Sequence, residues 1–203
     1  MNTYYKIVGI GFVMMLCSLA IEAQTHNLTS DEQEIFRTEV KNRVNRFQMY
    51  LTFIGSKKND RNTKAAYVKE TLKLFIGQGE KYTDTYGNVQ PAVRMQLSDV
   101  KSGRKYWRET KTYLNNLIGL PYQKLEITAM DTCRVGEFYK VRDGLYMTTV
   151  YIKQRFDAST DSRHIVNYDE KCISVYLKEE ITSVGGIYRV LFGDIEVKQS
   201  TQL

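Results

Sequence analysis

Histidine does most general acid–base work near neutral pH, and this chain of 203 residues has only two, His26 and His164. His26 precedes the first helical pattern. His164 sits in a polar stretch beside Asp161 and Arg163. Both read as surface histidines. No serine or cysteine stands with a histidine and a carboxylate at motif spacing. No Cys/His cluster has zinc-ligand spacing, and no glycine-rich phosphate loop follows a strand. No catalytic residue, cofactor site or metal site is therefore assigned. Carboxylates and the fifteen tyrosines are the remaining groups with chemistry.

The thiols depend on the compartment. Lys6 precedes an apolar run over residues 7–21, too short to read as a membrane span. Ala23 then offers a small residue before Gln24. This is the pattern of a secretory signal peptide over residues 1–23. It predicts a periplasmic or secreted protein, with residues 24–203 as a single mature domain and no stable membrane span after cleavage. Cleavage removes Lys6, Glu22 and Cys17, so the net charge of +6 is kept and Cys133 and Cys172 remain. An exported protein permits a disulfide between them. Two unpaired, buried thiols are the alternative, and two cysteines give no spacing that chooses.

The elements that must position these groups follow from periodicity. Thr29 or Ser30 with Glu32 or Gln33 reads as a capping box. Phe36, Val40, Val44, Phe47, Leu51 and Ile54 then make one helical stripe, ended by Gly55. Asn59 and Asp60 cap a second helix with the stripe Ala65, Val68, Leu72 and Phe75. Its lysines and arginines read as a solvated face, with an anionic envelope polymer or lipid head group as the sharper account. Residues 80–100 read as a small hairpin turning at Gly87-Asn88. Residues 101–111 carry five basic residues around Tyr106 and Trp107. The export signal excludes nucleic acid, and the segment reads as a loop entering a third helix, with Trp107 packed inward.

From Tyr122 the pattern is strands. Leu125, Ile127 and Ala129 alternate, and residues 137–141 continue or pair with that strand. Asp143-Gly144 is a hairpin turn. Residues 145–156 form a long strand with Tyr146, Thr148, Val150, Ile152, Gln154 and Phe156 on one face. Residues 157–170 read as a polar loop, and residues 171–178 alternate again. Residues 187–197 form the most apolar strand. Ile187, Leu191, Ile195 and Val197 share one of its sides, and Tyr188, Val190 and Phe192 the other. Such a strand is central in its sheet, and Leu191 reads as core. The order predicts an α+β fold with three helices on one face of a curved antiparallel sheet.

That order, with Met95-Gln96-Leu97-Ser98, Gln154-Arg155-Phe156, Tyr168-Asp169 and the phrase from Val190 to Ile195, resembles the nuclear transport factor 2-like (cystatin-like cone) superfamily, in particular small secreted proteins of Bacteroidetes type. The resemblance implies a cone with an inner cavity. It also implies an Asp or Tyr inside, for which Asp194, Tyr188, Tyr151 and Tyr146 are the candidates. A strand-end Asp that hydrogen-bonds a turn is the alternative for Asp194. Dimerisation through the open sheet face is implied as well. The superfamily holds both enzymes and accessory domains, and fold alone does not choose. The expected function is a non-catalytic binding or accessory domain of the cell envelope, for an unknown envelope protein or small ligand. The alternative is a small-molecule isomerase or dehydratase-like enzyme using the cavity. A lone carboxylate in a closed apolar cavity would favour the enzyme.

Overall fold

A computed structural model describes residues 27–202, apart from 85, 100, 101, 131, 132 and 184. The signal-peptide reading and His26 lie outside the described residues.

Helix α1 (Ser30–Gly55) starts where the sequence says it should. The Glu32 amide donates to Thr29 Oγ1 at 3.3 Å, and the Thr29 amide donates to Glu32 Oε2 at 2.8 Å. Val40, Val44, Phe47, Leu51 and Ile54 are buried along its stripe. Gly55 ends the helix against the sheet, where a Cβ would lie 1.8 Å from Leu125 Cδ2. Only glycine permits that approach. Helix α2 (Arg61–Leu72) is capped by Asp60, which accepts from the amides of Asn62 and Thr63. It stops short of Phe75. Phe75 instead lies extended beside Phe192 in an isolated parallel bridge.

Strands β1 (Tyr82–Thr83) and β2 (Val89–Gln90) make the small hairpin. Residues 93–98 are not its second arm. They enter β3 (Arg94–Asp99), which pairs with β4 (Arg104–Glu109) in the main sheet. The basic-aromatic segment is thus a strand and not a loop. Trp107 is 41% exposed, with the Arg94 guanidinium 5.1 Å from its ring centroid. An edge strand has no second neighbour to bury it. Helix α3 (Thr110–Ile118) follows directly.

The remaining strands are β5 (Lys124–Ala129), β6 (Arg134–Val135), β7 (Tyr139–Arg142), β8 (Leu145–Ser159), β9 (His164–Thr182) and β10 (Gly185–Gln202). The sheet order is β4-β3-β10-β9-β8-β5, with β6 and β7 also on β8. Pairing is antiparallel except between β3 and β10. The fold is therefore α+β, three helices with a large, mostly antiparallel sheet. Two corrections concern pairing. Residues 139–142 pair with β8 and not with β5. Residues 157–170 are not a loop: β8 and β9 stay paired out to Ser159 and His164, and only residues 160–163 turn. Their polar side chains hid strands whose backbone partners were supplied from across the sheet.

Even-numbered residues of β8 and odd-numbered residues of β9 face the helices, and they join α1 in one core cluster. Strand β10 is interior, as expected, but it changes face. Its register with β9 jumps between Phe192 and Ile195. Val190 and Phe192 face inward before this bulge, and Ile195 faces inward after it, opposite Ile173. Such a bulge inserts an extra residue and breaks the period-two alternation. Ile187, Leu191 and Ile195 consequently do not share one side. Leu191 is buried, yet it lies opposite Tyr176 on the outward face. Next to it, Gly193 lies under the Tyr176 ring, where a Cβ would be 2.6 Å from Cε2.

Candidate ligand cavity

Beneath α3 the two layers do not close. A cavity of about 430 Å³ opens between α3, the β3–β4 pair and the inward faces of β5, β8 and β9. Its walls are apolar and aromatic, with Leu97, Leu117, Ile127, Tyr113, Tyr122 and Phe156 among them. The Tyr122 and Phe156 rings meet edge to face at 5.7 Å. The cavity lies beside the single Cα pair that joins β3 to β10, Met95 with Ile195. Beyond that pair the β3–β4 hairpin is tied to β10 by side chains. The Val197 amide donates to Gln96 Oε1 at 3.1 Å, and Lys105 Nζ donates to the Val197 and Lys198 carbonyls at 2.7 and 2.9 Å.

The polar floor comes from β8 and β9. Gln154 and Asp169 are direct cross-strand partners, as are Phe156 and Asn167. Lys171 Nζ donates to Gln154 Oε1 at 2.5 Å and lies 3.3 Å from Asp169 Oδ2. The Lys171 side chain is 9% exposed and that of Asp169 18%, so each charge needs the other. Ser200 Oγ donates to Asp169 Oδ1 at 2.5 Å, and Ser98 Oγ lies 2.5 Å from Ser200 Oγ. Since the Ser200 proton goes to the carboxylate, Ser98 is the donor to Ser200. This chain of bonds fixes Asp169. Tyr113 closes the cavity from α3. Its own burial, and then the nearby Asp169 and Tyr106, push its phenol well above the ordinary range. At neutral pH it keeps its proton and can donate a hydrogen bond, but it cannot serve as a base.

No protein-family model and no curated protein matches the chain. The geometry alone therefore carries the reading of this site.

The candidates drawn from the resemblance lie elsewhere. Asp194 sits at the β10 bulge, its side chain 40% exposed. It accepts from the Arg94 backbone amide at 2.8 Å, the role of a carboxylate that satisfies a strand end. Tyr146 and Tyr188 pack together with ring centroids 5.8 Å apart, and Phe36 lies 5.7 Å from Tyr188. Tyr151 is on the outward face with Arg134 over its ring at 5.0 Å. None of the four lines the cavity.

Cys133 immediately precedes β6, and Cys172 is on β9, so both belong to the same sheet as expected. Both thiols are free, and burial raises both pKa values. Strand β8 separates β6 from β9, which sets the two backbones about 10 Å apart at ordinary strand spacing, beyond disulfide reach. His164 begins β9 on the outward face, its Nε2 2.9 Å from Asp157 Oδ1. Among the described residues, no cluster of three or more His, Cys, Asp or Glu could hold a metal. Among them too, no helix is long and apolar enough to cross a membrane.

The residues that sequence reasoning missed are Gln154, Asn167, Asp169 and Lys171. A signal was present. Asn167, Asp169 and Lys171 continue the odd-numbered, inward phase of Ile173, Val175 and Leu177. The polarity of residues 157–170 made that stretch read as a loop ending just before Lys171, when it is a strand facing a cavity.

Proposed function

We propose that this chain is an exported binding domain of the cell envelope, taking a small, largely apolar ligand into the cavity under α3. The cavity itself carries the reading: aromatic walls, and a few polar groups converging on one floor, are the usual make-up of a small-molecule site. The N-terminal pattern at residues 1–23 supports export. The helix layer over one sheet face, with a cavity at one end, supports the kinship with nuclear transport factor 2-like cones. The test of binding is titration with Nile red, a neutral dye that brightens in apolar surroundings, against the protein and its Leu97→Trp variant. One bound dye per chain, lost when the indole fills the cavity, is the expected result. No binding, or binding that Leu97→Trp leaves intact, overturns it. Export is checked separately by the mass of the mature chain, which should begin at Gln24.

One observation favours the second reading, an isomerase or dehydratase-like enzyme: a carboxylate and a tyrosine, Asp169 and Tyr113, share the cavity. Against it, the carboxylate is not alone. Lys171 and Ser200 already engage both its oxygens, which suits a structural anion better than a general base. Turnover of a cavity-sized substrate, abolished by Asp169→Asn, would establish the enzyme instead.

A further inference from the structure

Two atoms at the cavity floor have no use in the folded chain. Gln154 is 5% exposed, and its Oε1 accepts from Lys171. An ammonium only donates, so the amide must present its oxygen there, and Nε2 is left as the outward donor. That Nε2 is buried and without a hydrogen-bond partner among the described residues, and so is Asn167 Oδ1. Buried polar atoms are nearly always paired. Here the two side chains that carry an orphan donor and an orphan acceptor both belong to the lining of the same cavity. The register makes them diagonal neighbours on one face, since Gln154 pairs with Asp169 and Asn167 with Phe156. Such neighbours stand about 7–8 Å apart at the backbone, close enough for one ligand edge to span both amides.

The charges at the site are already balanced. Lys171 is paired with Asp169, and the other charged lining residues, Arg108 and Asp99, are again one of each sign. At the floor, an anionic ligand would have to displace Asp169 from Lys171, and a cationic one would have to take Asp169 from it. Each exchange leaves a buried charge without its partner. We infer that the cavity selects a neutral ligand whose edge carries a hydrogen-bond acceptor beside a donor, as a carboxamide or lactam does. Gln154 Nε2 donates to its carbonyl, Asn167 Oδ1 accepts its N–H, and Phe156, Tyr122 and Leu117 hold its apolar body. This rests on the cavity being the ligand site proposed above.

Calorimetric titration of the mature chain with three bicyclic probes tests it: carbostyril, a neutral lactam; N-methylcarbostyril, in which the donor is blocked; and naphthoate, an anion of similar size. Carbostyril should bind one per chain, and each of the other two at least about ten-fold more weakly, the scale of one hydrogen bond left unmade. Asn167→Leu, with its thermal midpoint measured alongside, should abolish the preference between the two lactams. Equal affinity for all three probes leaves a binding cavity but overturns the amide edge, and tighter binding of naphthoate overturns the neutral-ligand inference. Nile red binding without carbostyril binding also overturns it while the cavity reading stands. An unchanged lactam preference in Asn167→Leu overturns the assignment to these atoms. The wild-type comparison decides the ligand class even if the variant misfolds.

Discussion

Strands β8 and β9 run the length of the inward sheet face, and their two ends have different neighbours. At one end the inward residues are Tyr146, Val150 and Ile152 on β8, with Ile173, Val175 and Leu177 on β9, and Thr148 is the single polar residue among them. Helix α1 presses directly on this end, and Phe47, Phe75 and Phe192 meet edge to face at 5.5 to 5.9 Å. At the other end the same phase brings in Gln154, Phe156, Asn167, Asp169 and Lys171, and α3 leaves a cavity above them. The backbone is continuous through both. Only the inward side chains change, from groups that gain by excluding each other's water to groups that must find polar partners. The sealed end supplies stability through dispersion and apolar burial. The open end spends part of it on a cavity and on two unpaired amide atoms.

Substitutions at the two ends should therefore differ in kind. Phe192→Ala at the sealed end should cost about 3–5 kcal/mol, read from urea midpoints, because three rings lose a common partner. An unmoved midpoint would mean that the end is not sealed. Lys171→Met at the open end should cost about 2–3 kcal/mol by leaving Asp169 without its counter-charge, and Asp169→Asn in the same chain should restore at least half. No recovery in the double variant would mean that the pair does not hold the floor together. Leu97→Trp should change stability by less than about 1 kcal/mol, since the ring enters open space and not packed core, while abolishing dye binding. A large loss of stability would show that the cavity is filled in solution.

The smallest effect lies on the outward face. His164, by hydrogen bonding, and then Arg155 hold the Asp157 carboxyl below its ordinary value. A depressed folded pKa stabilises the fold above the unfolded carboxylate value and loses that contribution as pH falls through the folded value. The contribution should therefore be complete above about pH 4 and fade below it. Asp157→Asn should flatten that acid limb of the urea midpoint against pH and leave ligand binding unchanged. An acid limb identical to that of the unsubstituted chain would remove Asp157 from this role.

What the residue order determined by itself was whatever depends on neighbours in sequence. The Thr29–Glu32 capping box, the α1 stripe, the Asp60 cap, the Asp143-Gly144 turn and the alternation of residues 171–178 are all local patterns, and each became the element it predicts. Tertiary structure decided the rest. Residues 157–170 are strands because partners across the sheet satisfy their backbone, which polar side chains do not advertise. The β10 bulge brought Ile195 and Val197 to the inward face and so parted them from Leu191, because one extra residue reverses every face that follows it. The cavity floor came from residues 154 and 167–171, brought together by register alone. Asp194 was drawn to a backbone amide 100 residues away in sequence. A side chain's period can be read in its own segment, but its partner is fixed only when distant segments meet.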